Sequence, residues 1–509
     1  MLCTWSKSAF RKGDKSLKPL IESLNSVLKV AERGSPDIDL DTTSFSVQLT
    51  SSIETLWTHE YAAPKQGNYS DVDSVTVTGD TVFRIASCSK TFTVLALLLQ
   101  NGISLDDPVS KHIPQLLGES KVDWSDVSLR SLASQLSGIA KEYGMLDLTD
   151  QFKSPETLER YGFPPLSDGD RYLDDFFEGL KKQNPVFEPN FESTYSNLNF
   201  MLLSVALENL NSLSFDDIIQ RRILDPLQMK HTSLTKPLDS MGIIPAGEPW
   251  WDWDAKYLGP TGGIYSSGND LSTYLRGILS YSLLSVGRTN AWLKPQSFSP
   301  DLNSAYGMPW EIVRTQTKTF NGRTMDMYTK AGDLPGYHSL LALFPEYDLG
   351  LTILTARPIK ALEYLQKQLT SSIVAEAESI FSDDLQRYTG TYSDAATNTS
   401  LSLAFSSGKG LIIESWISRG VDFFGTVLPH LRDREGLQGN ATMRGRSAWV
   451  LPSNLFRDRN STEVECWKVI VVKHRSADPG DGIWDTFCFN DASPMTYGTR
   501  PIFEFLFKK

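Results

Sequence analysis

Apolar residues in "DKSLKPLIESLNSVLKVAERG" recur at helical spacing and stop at Gly34, which predicts an amphipathic helix near the start of the chain. The stretch "FSVQLTSSIETLWTHEYA" then alternates and is rich in β-branched residues. It is followed by a turn, "PKQGN", and by "SVTVTGDTVFRIAS", so two strands paired in a hairpin are expected to lead into Ser87. From Thr91 to Ser240 the period is mainly helical, in "TFTVLALLLQNG", "VSLRSLASQLSG", "DDFFEGLKKQ", "LNFMLLSVALENL" and "FDDIIQRRIL", with Pro- and Gly-bearing loops between them. Strands return in "TMDMYTKAG" and "SLLALFPEYDLGLTILTA", ahead of a helix in "IKALEYLQKQLTSSIVAEAESI". A sheet begun before Ser87 is therefore completed far downstream, around an all-helical insertion.

Beyond Phe381 the texture changes to short alternating runs such as "LSLAFSSGKGLIIESW" and "CWKVIVVKH", the pattern of an antiparallel β domain. The expected organisation is an N-terminal segment and helix over 1–40, an α/β domain over 41–380 and a β-rich domain over 381–509. A chain of 509 residues is too long for one compact core and fits such a division.

Composition narrows the function classes. A net charge of -12 argues against nucleic acid and anionic membrane surfaces as partners. No apolar run is long enough to span a bilayer, and the first residues lack a signal-peptide core, so as written the chain reads as soluble and cytoplasmic, or as secreted if a leader precedes it. Sequons at Asn68, Asn398, Asn440 and Asn460 are about as frequent as chance provides and leave the compartment open. Cys466 and Cys488 bracket a strand and its return, and read equally well as a hairpin staple or as two half-buried thiols. The His residues show no metal-ligand spacing, so no metal is expected.

The candidate chemistry begins in "FRIASCSKTFTVLALLL", where Ser87 and Lys90 form a Ser-x-x-Lys tetrad at a strand-to-helix junction. The same tetrad occurs at Ser26, Ser233 and Ser406, so setting has to discriminate. A lysine one turn after a serine shares its helix face and can take the hydroxyl proton if its pKa is lowered, and a helix N-terminus supplies donors for an oxyanion. Two further stretches complete such a site. Tyr195 and Asn197 form the chain's single Tyr-x-Asn at the start of an apolar helix, and Lys330, Ala331 and Gly332 stand at the end of a strand whose glycine permits close backbone approach.

These three elements, in this order, resemble the serine β-lactamase and penicillin-binding protein superfamily, in particular its class C branch with the related esterases, transesterases and D-aminopeptidases. The likeness runs from Ser44 to Pro358, and the length with a β-rich tail is similar to fungal β-lactamase-like proteins. It implies a β-lactamase/transpeptidase-like α/β fold, an antiparallel sheet flanked by helices with a helical insertion. It implies Ser87 as acylated nucleophile, Lys90 as proton acceptor and Tyr195 as the acid or base serving the leaving group and then the deacylating water or alcohol. Asn197 would orient substrate or Lys90, Lys330 would act electrostatically, and the N–H groups of Ser87 and Asp333 would form the oxyanion hole.

Ala331 replaces the hydroxyl residue usual in true β-lactamases and Asp333 adds a negative charge, so anionic β-lactams are expected to be poor substrates. Gln135, Pro189 and Asn190 also depart from common residues and read as tolerated structural positions. The implied activity is hydrolysis of a small-molecule ester or amide, with acyl transfer to a small alcohol as runner-up and a catalytically silent binding protein as the reading from another class. No cofactor is required, and nothing in the pattern speaks to oligomeric state. The aromatic stretch "EPWWDWDAKYLGP" reads as satellite core before pocket wall.

Overall fold

A computed structural model describes residues 10–32, 38–64, 76–143, 172–245, 249–316, 324–386, 389–396, 398–406, 410–422 and 425–426, and the strands Ala448–Leu451, Lys468–Val471 and Thr486–Cys488. Its centre is an eight-stranded antiparallel sheet. In chain order the strands are β1 (Ser44–Thr50), β2 (Thr55–Tyr61), then, outside this sheet, the short pair β3 (Val82–Arg84) and β4 (Tyr265–Ser267), followed by β5 (Ser297–Phe298), β6 (Ser304–Tyr306), β7 (Glu311–Gln316), β8 (Thr324–Leu334), β9 (Tyr337–Phe344) and β10 (Leu349–Ala356). The spatial order is β2-β1-β10-β9-β8-β7-β6-β5. Ser44 lies opposite Ala356 and Thr50 opposite Gly350, so the first strand is locked beside the last across the whole domain.

Long helices cover both faces. We number those of ten or more residues α1 (Lys18–Glu32), α2 (Ser89–Leu98), α3 (Tyr172–Lys182), α4 (Leu198–Asn211), α5 (Gly268–Leu279) and α6 (Ile359–Gln386). In α1 the residues Leu20, Leu24, Leu28 and Ala31 form one buried stripe, which packs with α6 under one face of the sheet. On the other face α5, capped by the Ser267 side chain accepting from Asp270 N, lays Leu271, Leu275 and Ile278 against β1 and β10. Strands β9 and β10 are buried along their whole length, because both faces are covered. The helical insertion packs around α2, whose residues are all buried; a helix apolar on nearly every side has to be internal.

The strand pairing differs from the sequence expectation in one place. "FSVQLTSSIETLWTHEYA" forms a hairpin by itself, β1 with β2, turned at Ser51–Glu54 where Ser51 N donates to Glu54 O at 2.9 Å. Residues Val82–Arg84 pair instead with Tyr265–Ser267. The serine-rich turn inside the first stretch closes the hairpin earlier than "PKQGN", most of which lies outside the described residues.

A separate antiparallel sheet follows α6, built from β11 (Gly390–Asp394), β12 (Thr399–Ser406), β13 (Gly410–Ser418), β14 (Val421–Asp422), β15 (Ala448–Leu451), β16 (Lys468–Val471) and β17 (Thr486–Cys488). Cys488 lies opposite Lys468 in this sheet; Cys466, and with it the question of a staple, lies outside the described residues, as do Cys3, Asn68, Asn440 and Asn460. Asn398 is exposed in the turn before β12. Among the described residues no helix is long and apolar enough to cross a membrane.

The central sheet generates a stability prediction. Ile353 on β10 is fully buried among the α1 and α6 side chains. Ile353→Ala removes three carbons from a site walled by β-sheet and should lower the unfolding free energy by about 2–5 kcal/mol, read from urea unfolding of the main domain.

Candidate active site

Ser87 sits where β3 gives way to α2, in a single 3₁₀ turn, Ala86–Cys88. Ala86 is in the left-handed region at φ 46, an uncommon and strained setting for a residue with a side chain, and it turns the chain sharply into the helix. Lys90, one turn on, is fully buried and places Nζ 2.9 Å from Ser87 Oγ; the same Nζ donates to Thr261 O at 2.8 Å. The rings of Tyr195 and Phe200 face this amine, with Nζ 5.0 and 5.4 Å from their centroids.

Tyr195 approaches from the loop before α4 and donates its hydroxyl to Ser87 Oγ at 2.7 Å. Ser87, Lys90 and Tyr195, 108 residues apart at the extremes, therefore share one hydroxyl oxygen. The loop is held from behind by Gln135, whose Oε1 accepts from Ser196 N and from Asn199 Nδ2, both at 2.8 Å, while its backbone O accepts from Thr194 N at 2.8 Å. Gln135, which reads from sequence as a tolerated substitution, positions the tyrosine. Asn190 does adopt φ 64, a conformation asparagine tolerates and glycine would supply.

Asn197 is only half placed as expected. Its Nδ2 is hydrogen bonded to Glu142, its backbone O accepts from Thr261 Oγ1 at 3.0 Å, and its buried Oδ1 has no partner. No hydrogen bond joins it to Lys90. Glu142 itself gave no sequence signal, being one acidic residue in a loop.

The third element lies on β8. Side chains alternate along a strand, so Lys330 and Gly332 share the face toward Ser87, and Ala331 and Asp333 the opposite one. A Cβ on Gly332 would come within 2.3 Å of Ile85 O and 3.0 Å of Ser87 N, so glycine is what allows the serine turn to lie on this strand. Lys330 is buried, with Nζ 5.6 Å from the Tyr195 ring centroid. The Ala331 methyl packs with the α1/α6 cluster, and the Asp333 carboxylate pairs with His338 Nδ1 at 2.6 Å across the hairpin. Their side chains thus belong to the far face, which corrects the expectation that the Asp333 charge stands beside the site.

A further acidic residue stands there instead. Glu311, at the start of β7, puts Oε1 2.6 Å from Lys330 Nζ, and its Oε2 accepts from Ala331 N at 3.1 Å. A lone glutamate opening a strand carries no spacing signal, and only the β7–β8 register, with Glu311 opposite Thr329, brings it to the lysine.

The electrostatics separate the two lysines. Burial first, then the Lys330 charge, push Lys90 well below the ordinary lysine range, against an opposing pull from Glu142 and Glu311. Burial also works against the charge of Lys330, but the Glu311 carboxylate and Tyr195 outweigh it, and Lys330 ends above its ordinary value. Tyr195 is 38% exposed, its ring lies beside both lysine amines, and its hydroxyl donates to Ser87 Oγ. Desolvation of that end raises its pKa despite the Lys330 charge, so the phenol holds its proton. The phenolate needed for Tyr195 to act as the resting base is disfavoured. Cys88, buried beneath, is pushed up to about 11 by desolvation and its thiol donates a hydrogen bond to Lys330 O, a packing role.

Of the aromatic residues in the stretch before Pro260 only Trp251 is core; Trp250, Trp253 and Tyr257 are half-buried, and Tyr257 and Pro260 line a cavity beside α4. Trp251 is 1% exposed between Tyr265 and Tyr337, and the buried Arg84 guanidinium donates to the carbonyls of Trp250 and Trp253, each at 2.8 Å.

Comparison with known proteins agrees with this architecture. Residues 55–368 match the family model described as Beta-lactamase, and residues 382–509 that described as Beta-lactamase-like-like, C-terminal domain. A "Beta-lactamase-like protein" of Arthroderma benhamiae is 34% identical over 412 residues, 74% of this chain and 68% of the relative. A "Probable hydrolase M10" of a Phoma species is 28% identical over 529 residues, 96% of this chain and 85% of the relative. Among solved structures, a class C beta lactamase from Rhodobacter sphaeroides superimposes with TM-score 0.52 at 21% identity, covering 70% of this chain and all of that one, a likeness of fold.

The buried amine generates a pH prediction. Unfolded Lys90 keeps its proton up to about pH 10.4, whereas folded Lys90 loses it at lower pH. Between those two values unfolding takes up a proton, so raising the pH stabilises the folded state, and the effect is complete above the unfolded value. In that window wild-type stability should gain about 1.4 kcal/mol per pH unit relative to Lys90→Met, as measured by urea unfolding of both proteins across a pH series.

Proposed function

Because the chain belongs to the beta-lactamase family, we propose that it is a serine hydrolase that cleaves a small-molecule ester or amide through an acyl-enzyme on Ser87. The observation that carries this reading is the single oxygen, Ser87 Oγ, held between an amine pushed toward neutrality and a phenol that keeps its proton. Lys90, as the neutral amine, takes the hydroxyl proton while Oγ bonds to the substrate carbonyl carbon. The tetrahedral oxyanion is received by the N–H groups of Ser87 and Asp333. Two features support that pair: Gly332 brings β8 against Ser87 N, and Asp333 N–H points to the same strand edge as Ala331 N–H, two residues before it, past the end of β7.

Collapse breaks the bond to the leaving oxygen or nitrogen, which takes the Tyr195 proton; the phenolate so formed lies near the ammonium groups of Lys90 and Lys330. In the second half Tyr195 recovers a proton from water as that water attacks the acyl carbon, and Ser87 recovers its own from Lys90. Each group ends as it began. Asn197 and Lys330 orient the acyl donor, and Ala331 serves substrate binding by holding the Lys330 ammonium through its carbonyl.

Water is the acceptor in this reading, since Tyr195 is 38% exposed and leaves the site open to solvent. The reaction belongs to residues 41–380, with 1–40 an N-terminal helical segment and 381–509 a β domain; the two family matches, ending at 368 and beginning at 382, support that division.

Intact-mass measurement during turnover of an activated aryl ester tests the reading. Wild type should show a transient acyl adduct, absent in Ser87→Ala. Tyr195→Phe should still acylate, because an aryl oxide leaves unaided, but should turn over at least about 100-fold more slowly and accumulate the adduct. An adduct on Ser87→Ala, or wild-type turnover in Tyr195→Phe, overturns it.

A further inference from the structure

The strand that carries Lys330 is closed at its edge by an internal carboxylate. β7 begins at Glu311 opposite Thr329, so β8 runs on from Lys330 to Leu334 with that edge no longer paired by β7. Glu311 occupies the first positions of the open edge. Oε1 lies 2.6 Å from the Lys330 ammonium, and Oε2 accepts from Ala331 N–H at 3.1 Å. Lys330 uses a further proton on Ala331 O at 2.7 Å. One glutamate thus satisfies both the buried cation of the site and the first edge N–H, in the bidentate manner in which a carboxylate on a bound molecule would do so.

The consequence is a site with little attraction for anions. A substrate carboxylate seeking Lys330 would have to displace Glu311, leaving a half-buried carboxylate without its cation; separating such a pair is strongly unfavourable. Glu142 adds a second carboxylate, bonded to Asn197 next but one to Tyr195. Among the described residues, Glu311 and Glu142 thus place two carboxylates around the Lys330 ammonium and Tyr195. Approach of a like charge to such a surface lowers both affinity and association rate.

We propose that Glu311 is the specificity-determining residue of the site and restricts it to acyl donors that carry no carboxylate on the leaving-group side, because the Lys330 ammonium it occupies faces Tyr195, the group that serves the leaving atom; this rests on the acyl-enzyme reading above. The Ala331 methyl has no part in that choice, since it faces the α1/α6 cluster. Discrimination comes from an endogenous carboxylate already seated where an exogenous one would bind.

The test uses the full chain and a matched pair of aryl esters with the same acyl chain, differing only on the aryl leaving group, a meta-carboxylate in one and a meta-carboxamide in the other. Wild type should favour the carboxamide ester in kcat/KM. Glu311→Gln keeps the shape and one carbonyl acceptor while freeing the Lys330 charge, and should shift the ratio toward the carboxylate ester by at least about 10-fold. Changes in the shared chemistry of Ser87 cancel in this ratio. A second measurement needs no variant: wild type should be inhibited more strongly by phenylboronic acid than by its carboxylate-bearing counterpart.

A ratio unchanged within about twofold in Glu311→Gln, or equal inhibition by the two boronic acids, overturns the proposal while leaving the acyl-enzyme intact. Failure of every ester to form an adduct with wild type rejects the acyl-enzyme reading itself, and this inference with it.

Discussion

A lysine amine without solvent, set one turn into an internal helix, is the constraint around which the domain is organised. Lys90 is fully buried, and its hydrogen-bond partners are Ser87 Oγ and Thr261 O. Leaving a charge in such a place without an anion at hand is costly, so the group is driven toward its uncharged form. A nearby cation adds to that drive, and Lys330 supplies it while keeping its own proton through Glu311. The two lysines are consequently pushed in opposite directions although they are the same residue type, because one has a carboxylate in contact and the other has a hydroxyl and a carbonyl.

The sheet exists to hold that arrangement. Ser87 comes from the start of the insertion, Tyr195 from its middle and Lys330 from the far strands, and none can be adjusted alone while β1 is locked beside β10 and Gly332 lies against the serine turn. Interiors packed on both faces transmit such constraints with little slack. The strain at Ala86 is sustained by this surrounding structure and leaves Ser87 half-buried at the head of α2.

Much of this was legible in the chain. Ser87, Lys90 and Tyr195 announce themselves by residue type, spacing and the apolar helices that follow them, and the long helices and β8–β10 follow from periodicity. What escaped has a common cause. Glu311 and Glu142 reach the site through strand register and loop course, which no local pattern encodes. The triplet Lys330-Ala331-Gly332 reads as one unit in sequence, yet a strand sends its members to alternate faces, so the side chains of Ala331 and Asp333 left the site they were assigned to. Gln135 looked like a neutral replacement because its work is hydrogen bonding to a loop far along the chain. The hairpin was misjudged because two turn signals stood near each other and the earlier one won.

The segment from Trp250 to Ile264 is fastened to the serine-bearing strand and helix in an unusual way. Arg84 donates to the carbonyls of Trp250 and Trp253, Thr93 to Pro260, Lys90 to Thr261, and Ile85 N–H to Ile264. In each bond the loop offers a backbone oxygen and the other side offers the donor. A carbonyl is present whatever the residue, so these bonds do not themselves read the loop's side chains, although Trp251, Trp253, Thr261 and Ile264 are held by contacts of their own. The burden of constancy falls on the other partner, on Arg84, Lys90 and Thr93, whose side chains alone can make those contacts. Divergence between homologous enzymes of this build should therefore be lopsided, with variation concentrated on one side of a contact whose geometry stays the same.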